Sequence, residues 1–405
     1  MTPRSRKTGT VCVVSTTSGL AVGGLSTYVR FLTEHLAHDG LATGIARFAT
    51  DGSRAMDYAA TERARTLHGA DGLQLQIVAP DRTLRPLAAM ARRLIHLPRA
   101  QRLAIALFVR AYEPAIARAV PRDTGLVHWV GSGWELLGFA ALRVARRRGA
   151  VFTVLPAIHP GSWGDSAVDS WLYASADGVL ALSEAERTLL LRLGVQDSRI
   201  SVVGLGPGVG DQGDGTAFRA RHALGDRPLV LYVARKERYK GYHALAEAVE
   251  RVRRSLPSTM LVAIGAPAQS PEPRLPAEAL LDLGAADDAE KADALAACDV
   301  LCVPSAGESF GIVYLEAWQY AKPVVVGPAP ASRELVEHGV TGLHVDQRAE
   351  DIEAALLRLL GDPAAARAMG ARGQALQSDR YTWRSVWLQH VQSFEQAARF
   401  RDGRS

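Results

Sequence analysis

The chain has 405 residues, of which 48% are hydrophobic and 22% are charged. This length exceeds what one hydrophobic core usually serves, so the sequence predicts two domains. The scattered charges and the lack of low-complexity tracts indicate an ordered chain except at its two ends. A net charge of +5 is mild for this length. Anionic small molecules, nucleic acid and an anionic membrane surface are all compatible with it, so its sign alone selects no partner.

In the first half of the chain, short apolar runs alternate with longer patterns rich in Ala, Leu and Arg. The runs predict strands at 10–15, 42–48, 73–79, 126–130, 151–156 and 178–183, with helices near 25–38, 84–119, 134–148 and 184–193. Continuous apolar runs are typical of buried parallel strands. Strand, helix and strand in repetition indicate right-handed crossovers and a doubly wound sheet.

Residues 201–215 are rich in glycine, as a dinucleotide-binding loop is. No helix is predicted at the distance that such a loop requires, so we interpret the stretch as a linker. A second set of elements follows, with strands at 228–234, 260–265, 280–284, 299–305 and 323–327 and helices at 241–255, 288–297, 311–320 and from 349 onward. The sequence therefore predicts an α/β protein of two Rossmann-like doubly wound domains that face a cleft.

The predicted domain boundaries follow from this linker. We expect a first domain at 1–205, a second at 206–380, and a terminal helix at 381–405 that packs back on the first domain. Ligands of open α/β sheets bind beyond the carboxyl ends of the strands, so these ends are where candidate site residues are sought.

Three cysteines, Cys12, Cys298 and Cys302, lie in apolar strand-like runs. An odd and buried set is typical of a reducing compartment and not of a disulfide framework. No apolar run approaches the length that spans a bilayer, and the run after the basic first residues is too short for a signal peptide. The sequence therefore predicts a cytoplasmic protein.

Two glutamates mark the segment that follows strand 299–305. Glu316 lies within an apolar stretch, and burial of a bare carboxylate is costly unless hydrogen-bond donors meet it. The paired hydroxyls of a ribose would be suitable donors. The alternative is a solvent-exposed carboxylate early in a helix, where negative charge is favoured, and Glu308 has the similar alternative of a solvated loop residue.

The free amides of Phe310, Gly311 and Ile312 begin the same helix and could bind an anion. Arg235 and Lys240 follow the first strand of the second domain, where an arginine fork and a lysine point charge could neutralise a diphosphate. A solvated basic loop is the alternative. The sequence has no Asp-x-Asp triplet to hold a divalent ion on a diphosphate, which makes both cations more necessary.

The first domain offers weaker signals. Gly23 and Gly24 follow the first strand and permit close approach of a phosphate, although a Gly-Gly turn can be purely structural. His159 follows strand 151–156 and lies at the same kind of strand end.

Taken together, these residues resemble the GT-B glycosyltransferases of family 4, which are retaining enzymes. The resemblance covers nearly the whole chain, and its main signature is Glu308 and Glu316, separated by seven residues, with Phe310 and Gly311 between them. Its other segments are Gly23-Gly24, Arg235 with Lys240-Gly241, and residues 263–265, 282–311, 323–327 and 340–345.

The resemblance implies that domain 1–205 binds the acceptor and that domain 206–380 binds the nucleoside-diphosphate-sugar donor. It also implies roles for individual residues. Glu316 would bind the hydroxyls of the donor ribose, and Glu308 would bind hydroxyls of the donor sugar. Arg235 and Lys240 would stabilise the charge of the leaving diphosphate. His159 would lie beside the donor sugar. The implied catalytic residues are Arg235, Lys240, Glu308 and His159. The implied donor-binding residues are Gly23, Gly24, Arg235, Lys240, Gly265, Leu283, Gly284, Glu308, Phe310, Gly311, Ile312 and Glu316, with the main chain of Leu283, Gly284 and Ala285 meeting the base.

The implied reaction moves a sugar, with retention, from a nucleoside-diphosphate sugar to an acceptor, and we favour a UDP-sugar over a GDP-sugar. It needs no enzymic nucleophile, no metal and no cofactor, and no nucleic acid partner is expected. The segment 328–336 lacks a glycine pair that many relatives carry, and Pro160 follows His159 where relatives have aspartate, so sugar and acceptor are left open.

We favour a small polar metabolite or natural product as the acceptor. The alternatives are a lipid acceptor at a membrane contacted through residues 82–120, a non-hydrolysing epimerase of nucleotide sugars, and an inert subunit that binds a nucleotide sugar. A homodimer is also left open.

Overall fold

A computed structural model describes residues 10–16, 24–36, 43–45, 63–68, 74–267 and 275–403. The chain divides into two compact units. The first comprises Met1–Val203 and Trp387–Ser405, and the second comprises Gly204–Val386. Within these ranges each unit contains one sheet, and both sheets are built mainly from parallel strands. The structure therefore confirms the predicted α/β class.

The described residues of the first unit form a sheet of eight strands in the order β3-β4-β2-β1-β5-β6-β7-β8. Their bounds are β1 Thr10–Ser15, β2 Thr43–Ile45, β3 Arg65–His68, β4 Gln74–Ile77, β5 Thr124–Val130, β6 Val151–Leu155, β7 Gly178–Ala181 and β8 Ile200–Val202. Among these described strands, only β3 is antiparallel to its neighbour. The central strands are fully buried, because helices on both faces cover a parallel sheet, and this is why they read as continuous apolar runs.

The helices of the first unit are α1 Gly24–Leu36, α2 Arg85–Leu94, α3 Gln101–Ala119, α4 Leu137–Arg148, α5 Ala167–Ala174 and α6 Glu184–Arg192. The single helix predicted at 84–119 is wrong, because it is divided by a 3-10 turn at Pro98–Ala100. Proline has no N–H for an intrahelical hydrogen bond and interrupts the helix at this point. The sequence reading also missed β3, β8 and α5.

Where the structure describes the second unit, it has a sheet of six parallel strands in the order β11-β10-β9-β12-β13-β14. Their bounds are β9 Leu229–Val233, β10 Met260–Ile264, β11 Leu280–Gly284, β12 Val300–Val303, β13 Val324–Val326 and β14 Gly342–His344. The chain runs outward from β9 through β10 to β11 and then returns to the other side of β9 with β12. The switch in direction therefore lies between β9 and β12.

The helices of the second unit are α7 Gly215–Arg221, α8 Tyr242–Val252, α9 Asp288–Ala297, α10 Ile312–Gln319, α11 Pro330–Leu335, α12 Ala349–Gly361 and α13 Pro363–Arg380. The glycine-rich stretch leads into α7, which the sequence reading did not predict. Asp214 caps this helix, since its side chain accepts a hydrogen bond from the Ala217 N–H at 2.9 Å.

The last helix, α14 Trp383–Asp402, carries the residues from Trp387 onward that belong to the first unit. The buried Tyr28 hydroxyl lies 3.0 Å from Nε2 of His128 and 2.9 Å from Nε2 of His390. Burial lowers the pKa of His128, with a smaller contribution from His390, so this histidine is a neutral core residue. Residues of α14 thus complete the core of the first unit.

The three cysteines are free and buried. Burial raises the pKa of Cys12 and of Cys298 to about 12 and that of Cys302 further, so all three remain protonated thiols at neutral pH. Within the part of the chain that the structure describes, no helix combines the length and the apolar character that crossing a bilayer requires.

Candidate active site

Most of the predicted site residues lie at one edge of the second sheet. Arg235 and Lys240 follow β9, Gly265 follows β10, Gly284 ends β11, and Glu308 follows β12. Because the strands are parallel, these carboxyl ends share one edge of the sheet. The switch point between β9 and β12 is where open α/β sheets bind their ligands.

Lys240 and Glu308 form an ion pair across this switch point. The Lys240 Nζ atom lies 2.8 Å from Oε1 of Glu308, and both side chains are mostly buried. Lys240 also donates a hydrogen bond to the Gly307 carbonyl at 3.0 Å. The sequence predicted a role for each residue but did not predict that they pair. A largely buried lysine with an acidic neighbour is held in place, which fixes a positive charge at the strand ends.

Arg235 lies at the same edge with 61% of its side chain exposed. Its guanidinium contacts the Glu237 carboxylate at 2.8 Å and donates to the Tyr239 hydroxyl at 2.6 Å. Ion pairs as exposed as this one contribute little free energy. An anionic ligand could therefore compete for this guanidinium at small cost.

Hydrogen bonds to backbone carbonyls hold the loops after β9 and β12 together. Gln347 donates from Nε2 to the carbonyls of Tyr239 and Pro304, both at 2.9 Å, and the Ala306 N–H donates to the Tyr239 carbonyl at 2.7 Å. Gly241 has φ +81°, and a Cβ atom there would lie 2.6 Å from the Pro304 carbonyl oxygen. Sequence reasoning missed Gln347, since no motif marks it.

Glu316 is buried in α10, with 1% of its surface exposed, and it has partners. Lys291 of α9 lies 2.9 Å from Oε1 of Glu316, and the Gly208 N–H donates to the same oxygen at 3.2 Å. A carboxylate in an apolar stretch is thus met by a cation and an amide. Sequence reasoning missed Lys291, whose partner follows only from the packing of α9 beside α10.

The start of α10 depends on glycine. Gly311 has φ +97°, and a Cβ atom there would lie 2.5 Å from the Tyr314 ring. Phe310 is buried, and its ring centroid lies 5.8 Å from that of Tyr381. The predicted anion-binding amides of Phe310, Gly311 and Ile312 therefore belong to a rigidly packed turn.

Gly265 and Gly284 bring the ends of β10 and β11 together. The Gly265 N–H donates to the Gly284 carbonyl at 2.6 Å, and a Cβ atom on Gly265 would lie 1.9 Å from the Ala234 carbonyl oxygen. Leu283 precedes Gly284 in β11. Beside them, the buried Lys236 donates to Asp282 at 2.6 Å, a pair that sequence reasoning did not predict.

The remaining predicted residues lie in the first unit or outside the described residues. Gly24 is the exposed first residue of α1, and Gly23 lies outside the described residues. His159 follows β6, where its N–H donates to the Trp163 carbonyl at 3.0 Å and its ring centroid lies 6.2 Å from that of Trp163.

Glu186 holds the loop that carries His159. Its buried carboxylate accepts hydrogen bonds at 2.6 Å from the N–H groups of Ile158 and Leu182. Burial raises the pKa of Glu186 to about 7, although the two hydrogen bonds act in the opposite direction.

In the part of the chain that the structure describes, no three side chains of His, Cys, Asp or Glu are grouped so that they could hold a metal ion.

The match to a known protein family falls within the second unit. Residues 214–376 match the family model described as "Glycosyl transferases group 1". A GDP-mannose-dependent alpha-(1-6)-phosphatidylinositol monomannoside mannosyltransferase of Mycolicibacterium smegmatis is 36% identical over 185 residues, which cover 42% of this chain and 48% of that protein. A D-inositol 3-phosphate glycosyltransferase of Stackebrandtia nassauensis is 32% identical over 229 residues, covering 52% of each chain. The chain spans about half the length of these curated relatives.

Solved structures resemble nearly the whole chain. HepE of Anabaena, in complex with UDP and glucose, has a TM-score of 0.70 at 16% identity and covers 95% of this chain and 99% of its own. A sucrose-phosphate synthase of Thermosynechococcus elongatus has a TM-score of 0.71 at 21% identity, covering 95% and 98%. The fold is therefore that of the GT-B glycosyltransferases, as predicted from the sequence, with two Rossmann-like units.

Proposed function

We propose that this protein is a retaining glycosyltransferase that moves a sugar from a nucleoside-diphosphate sugar to an acceptor hydroxyl. The observation that carries the proposal is the group of Lys240, Glu308 and Arg235 at the switch point between β9 and β12. A fixed buried lysine and an exposed arginine form a cationic site for a diphosphate, with a carboxylate beside it to accept sugar hydroxyls. The match of residues 214–376 to group 1 glycosyl transferases supports it.

In the proposed reaction, the bond between the sugar and the diphosphate breaks and the acceptor oxygen bonds to the same face of the sugar. The acceptor proton leaves to the departing phosphate, and Lys240 and Arg235 stabilise the charge that develops there. No side chain forms a covalent intermediate, and we propose no metal requirement. The remaining catalytic contribution is the positioning of two substrates.

Glu316 is proposed to bind the donor ribose. In the structure its carboxylate is held by Lys291 and the Gly208 N–H. A carboxylate oxygen has more than one lone pair, so ribose hydroxyls could donate to it while the lysine stays in contact. Main chain at Leu283 and Gly284 is proposed to meet the base. Lys291 thus becomes part of the proposed ribose site.

The identity of the donor's base and sugar is a separate question. The printed names of relatives include a GDP-mannose-dependent enzyme, and one structural neighbour was solved with UDP and glucose. We propose that the donor is a UDP-sugar and not a GDP-sugar, as the sequence analysis also favours. A direct comparison of both donors with one protein preparation tests this choice.

We propose a small polar metabolite or natural product as the acceptor. A lipid acceptor is a second candidate, because Met90, Leu97 and Leu103 are exposed large apolar side chains within the basic segment 82–120. Exposed apolar residues beside arginines are typical of a surface that binds anionic lipid. The relative named for phosphatidylinositol monomannoside is consistent with it. Sedimentation with vesicles that contain anionic lipid, compared with neutral vesicles, distinguishes the lipid acceptor from the small polar acceptor.

We further propose that the protein acts in the cytoplasm. Its three cysteines are free and buried, a pattern that needs no oxidising compartment.

The test of the proposed function is release of nucleotide from UDP- and GDP-sugars by purified protein, with and without extracts of soluble metabolites or lipids. We expect the wild type to transfer the sugar and Arg235→Ala to lose this activity. Arg238→Ala, which changes a neighbouring exposed residue, is the matched control. If neither donor binds or turns over, the inert-subunit alternative replaces the proposal.

A further inference from the structure

The carboxyl end of strand β11 is irregular. β10 and β11 pair in parallel, with Ala263 opposite Asp282 and Ile264 opposite Gly284, so Leu283 has no partner in this register. One extra residue in one of two paired strands is the arrangement of a β-bulge, which bends the strand and leaves the extra residue unpaired. Bulges are common beside active sites, where they change the direction of a strand end. The bulge at Leu283 lies at the edge of the sheet that carries the candidate site.

Asp282 holds the turn that follows the bulge. Its Oδ1 atom accepts a hydrogen bond from the Gly284 N–H at 2.9 Å, and the Gly284 carbonyl accepts one from the Gly265 N–H at 2.6 Å. Gly284 has φ +61°. Apart from its chain neighbours, no described residue has an atom within 4 Å of the place that a Cβ atom would take there. The turn is thus fixed on one side and open on the other.

Lys236 holds the carboxylate of Asp282. Its side chain is 1% exposed, and its Nζ atom lies 2.6 Å from Oδ1 and 2.5 Å from Oδ2 of Asp282. Lys236 follows β9 and Asp282 belongs to β11, so the contact spans the end of β10 between them. The same Nζ atom lies 5.9 Å from the ring centroid of the buried Tyr242. A buried lysine that contacts both carboxylate oxygens fixes the carboxylate in one orientation.

The segment that carries Lys236 also carries Arg235, which the proposed function assigns to the diphosphate. The Lys236 N–H donates to the Ala266 carbonyl at 3.1 Å, and the Arg235 carbonyl accepts from the Tyr232 hydroxyl at 2.7 Å. The pair of Lys236 and Asp282 therefore joins the segment proposed to bind the diphosphate to the turn proposed to meet the base.

A purely structural ion pair is the alternative. Buried ion pairs often add little stability, because desolvation of the two charges offsets their attraction, and apolar residues of similar size can replace them. An apolar pair would lack one contact that this pair has, since no apolar side chain can accept the Gly284 N–H. The shape of the turn at Gly284 is what distinguishes the two roles.

We propose that Asp282 is a positioning residue, which holds the turn at 282–284 in the shape that receives the base of the donor nucleotide. Lys236 keeps the carboxylate of Asp282 in place. The proposal rests on the proposed function, which puts the main chain of Leu283 and Gly284 against the base, and it adds the side chains on which affinity for the base depends. Affinity for the diphosphate depends on Arg235 and Lys240 instead.

The test is calorimetric titration of the full chain with UDP, GDP and inorganic pyrophosphate. The main variant combines Lys236→Met with Asp282→Leu, which leaves no uncompensated buried charge and keeps the net charge of the protein, so it is expected to fold. The nucleotide that the wild type binds more tightly should bind about tenfold more weakly to this variant. Pyrophosphate should bind within about twofold of the wild type, and the stoichiometry should not change. Partial unfolding would lower the stoichiometry for every ligand.

Two further variants complete the design. Lys236→Met with Asp282→Asn has the same net charge but keeps a side-chain oxygen that can accept the Gly284 N–H, so its affinity for nucleotide should return to within about threefold of the wild type. The matched control combines Arg251→Met with Glu247→Leu, which removes an ion pair of 2.8 Å on α8. It should bind nucleotide and pyrophosphate as the wild type does.

The proposal is overturned if the variant with leucine binds nucleotide like the control, or if nucleotide and pyrophosphate weaken equally. It is also overturned if the variant with asparagine is as weak as the variant with leucine. Failure of the proposed function has a different result: the wild type then binds nucleotide but transfers no sugar, and the role of Asp282 in base binding is unaffected. A wild type that binds neither UDP nor GDP refutes both.

Discussion

Lys291→Met tests the buried contact between α9 and α10. At 2.9 Å and an effective dielectric constant of about 20, the attraction between Lys291 and Glu316 is about 6 kcal/mol before desolvation is subtracted. Removing one partner of a buried pair costs about 3–5 kcal/mol, because the other charge is left uncompensated. Here 18% of the lysine side chain is exposed and the Gly208 N–H remains, so we expect a loss of about 2–3 kcal/mol.

The assay is a double-mutant cycle of Lys291→Met, Glu316→Gln and the double variant, followed by guanidinium unfolding and by amide hydrogen exchange in α10. Methionine keeps the unbranched shape of lysine, so the change removes mainly charge. The double variant carries no uncompensated carboxylate and should recover most of the stability that Lys291→Met loses. The expected coupling between the two positions is about 2 kcal/mol.

Lys322→Met is the control, since Lys322 lies in the same unit and has no carboxylate within ion-pair distance among the described residues. The reasoning is refuted if the single losses simply add in the double variant, or if Lys322→Met is as unstable as Lys291→Met. A second measurement reaches the function: Glu316→Gln should raise the donor KM by about 10-fold to 100-fold and change kcat less.

Arg235→Ala is expected to lower kcat for transfer by about 100-fold or more, with Arg238→Ala near the wild type; equal rates in both variants would remove Arg235 from the site. Burial raises the pKa of Glu186 from about 4.5 in the unfolded chain to about 7 in the folded protein, so the folded state binds the proton more tightly. The contribution of this group to the free energy of unfolding is therefore full at low pH. It falls by on the order of 3 kcal/mol as the pH rises from about 4.5 to about 7. Glu186→Gln should flatten that part of a plot of unfolding free energy against pH, and an unchanged slope contradicts it. Gly311→Ala should lower stability by about 1–3 kcal/mol through its positive φ and the Tyr314 ring, whereas Gly361→Ala, which meets no atom within 4 Å, should be tolerated; similar melting temperatures for the two would be inconsistent with this reasoning. Chelation with EDTA should leave transfer unchanged, and a loss that Mg²⁺ or Mn²⁺ restores would show that the proposed metal-independent reaction is wrong.

The second unit was the more predictable from sequence. Strand β11 and helix α9 have the bounds that the sequence predicts. Although β11 is a partly exposed edge strand, its run of leucines ends at a glycine, and Asp287 caps α9, so both elements carry clear local end signals. The short strand β14 and the short helix α7 were missed for the opposite reason. Elements of few residues are defined mainly by the neighbours they pack against, and these are not visible locally.

The site residues divide in the same way. Lys240 and Glu308 were predicted as separate residues, because each lies in a recognisable segment. Their pairing, like that of Lys291 with Glu316, joins segments far apart in sequence and needs the packed fold.

The contact of Tyr28 with His390 has a consequence for biosynthesis. A ribosome makes residues 387–403 only after it has synthesised the entire second unit, and until then the Tyr28 hydroxyl lacks one of its two histidine neighbours. The core of the first unit therefore stays incomplete until synthesis ends. A chain truncated at residue 386 should lack this part of the core and be retained by chaperones.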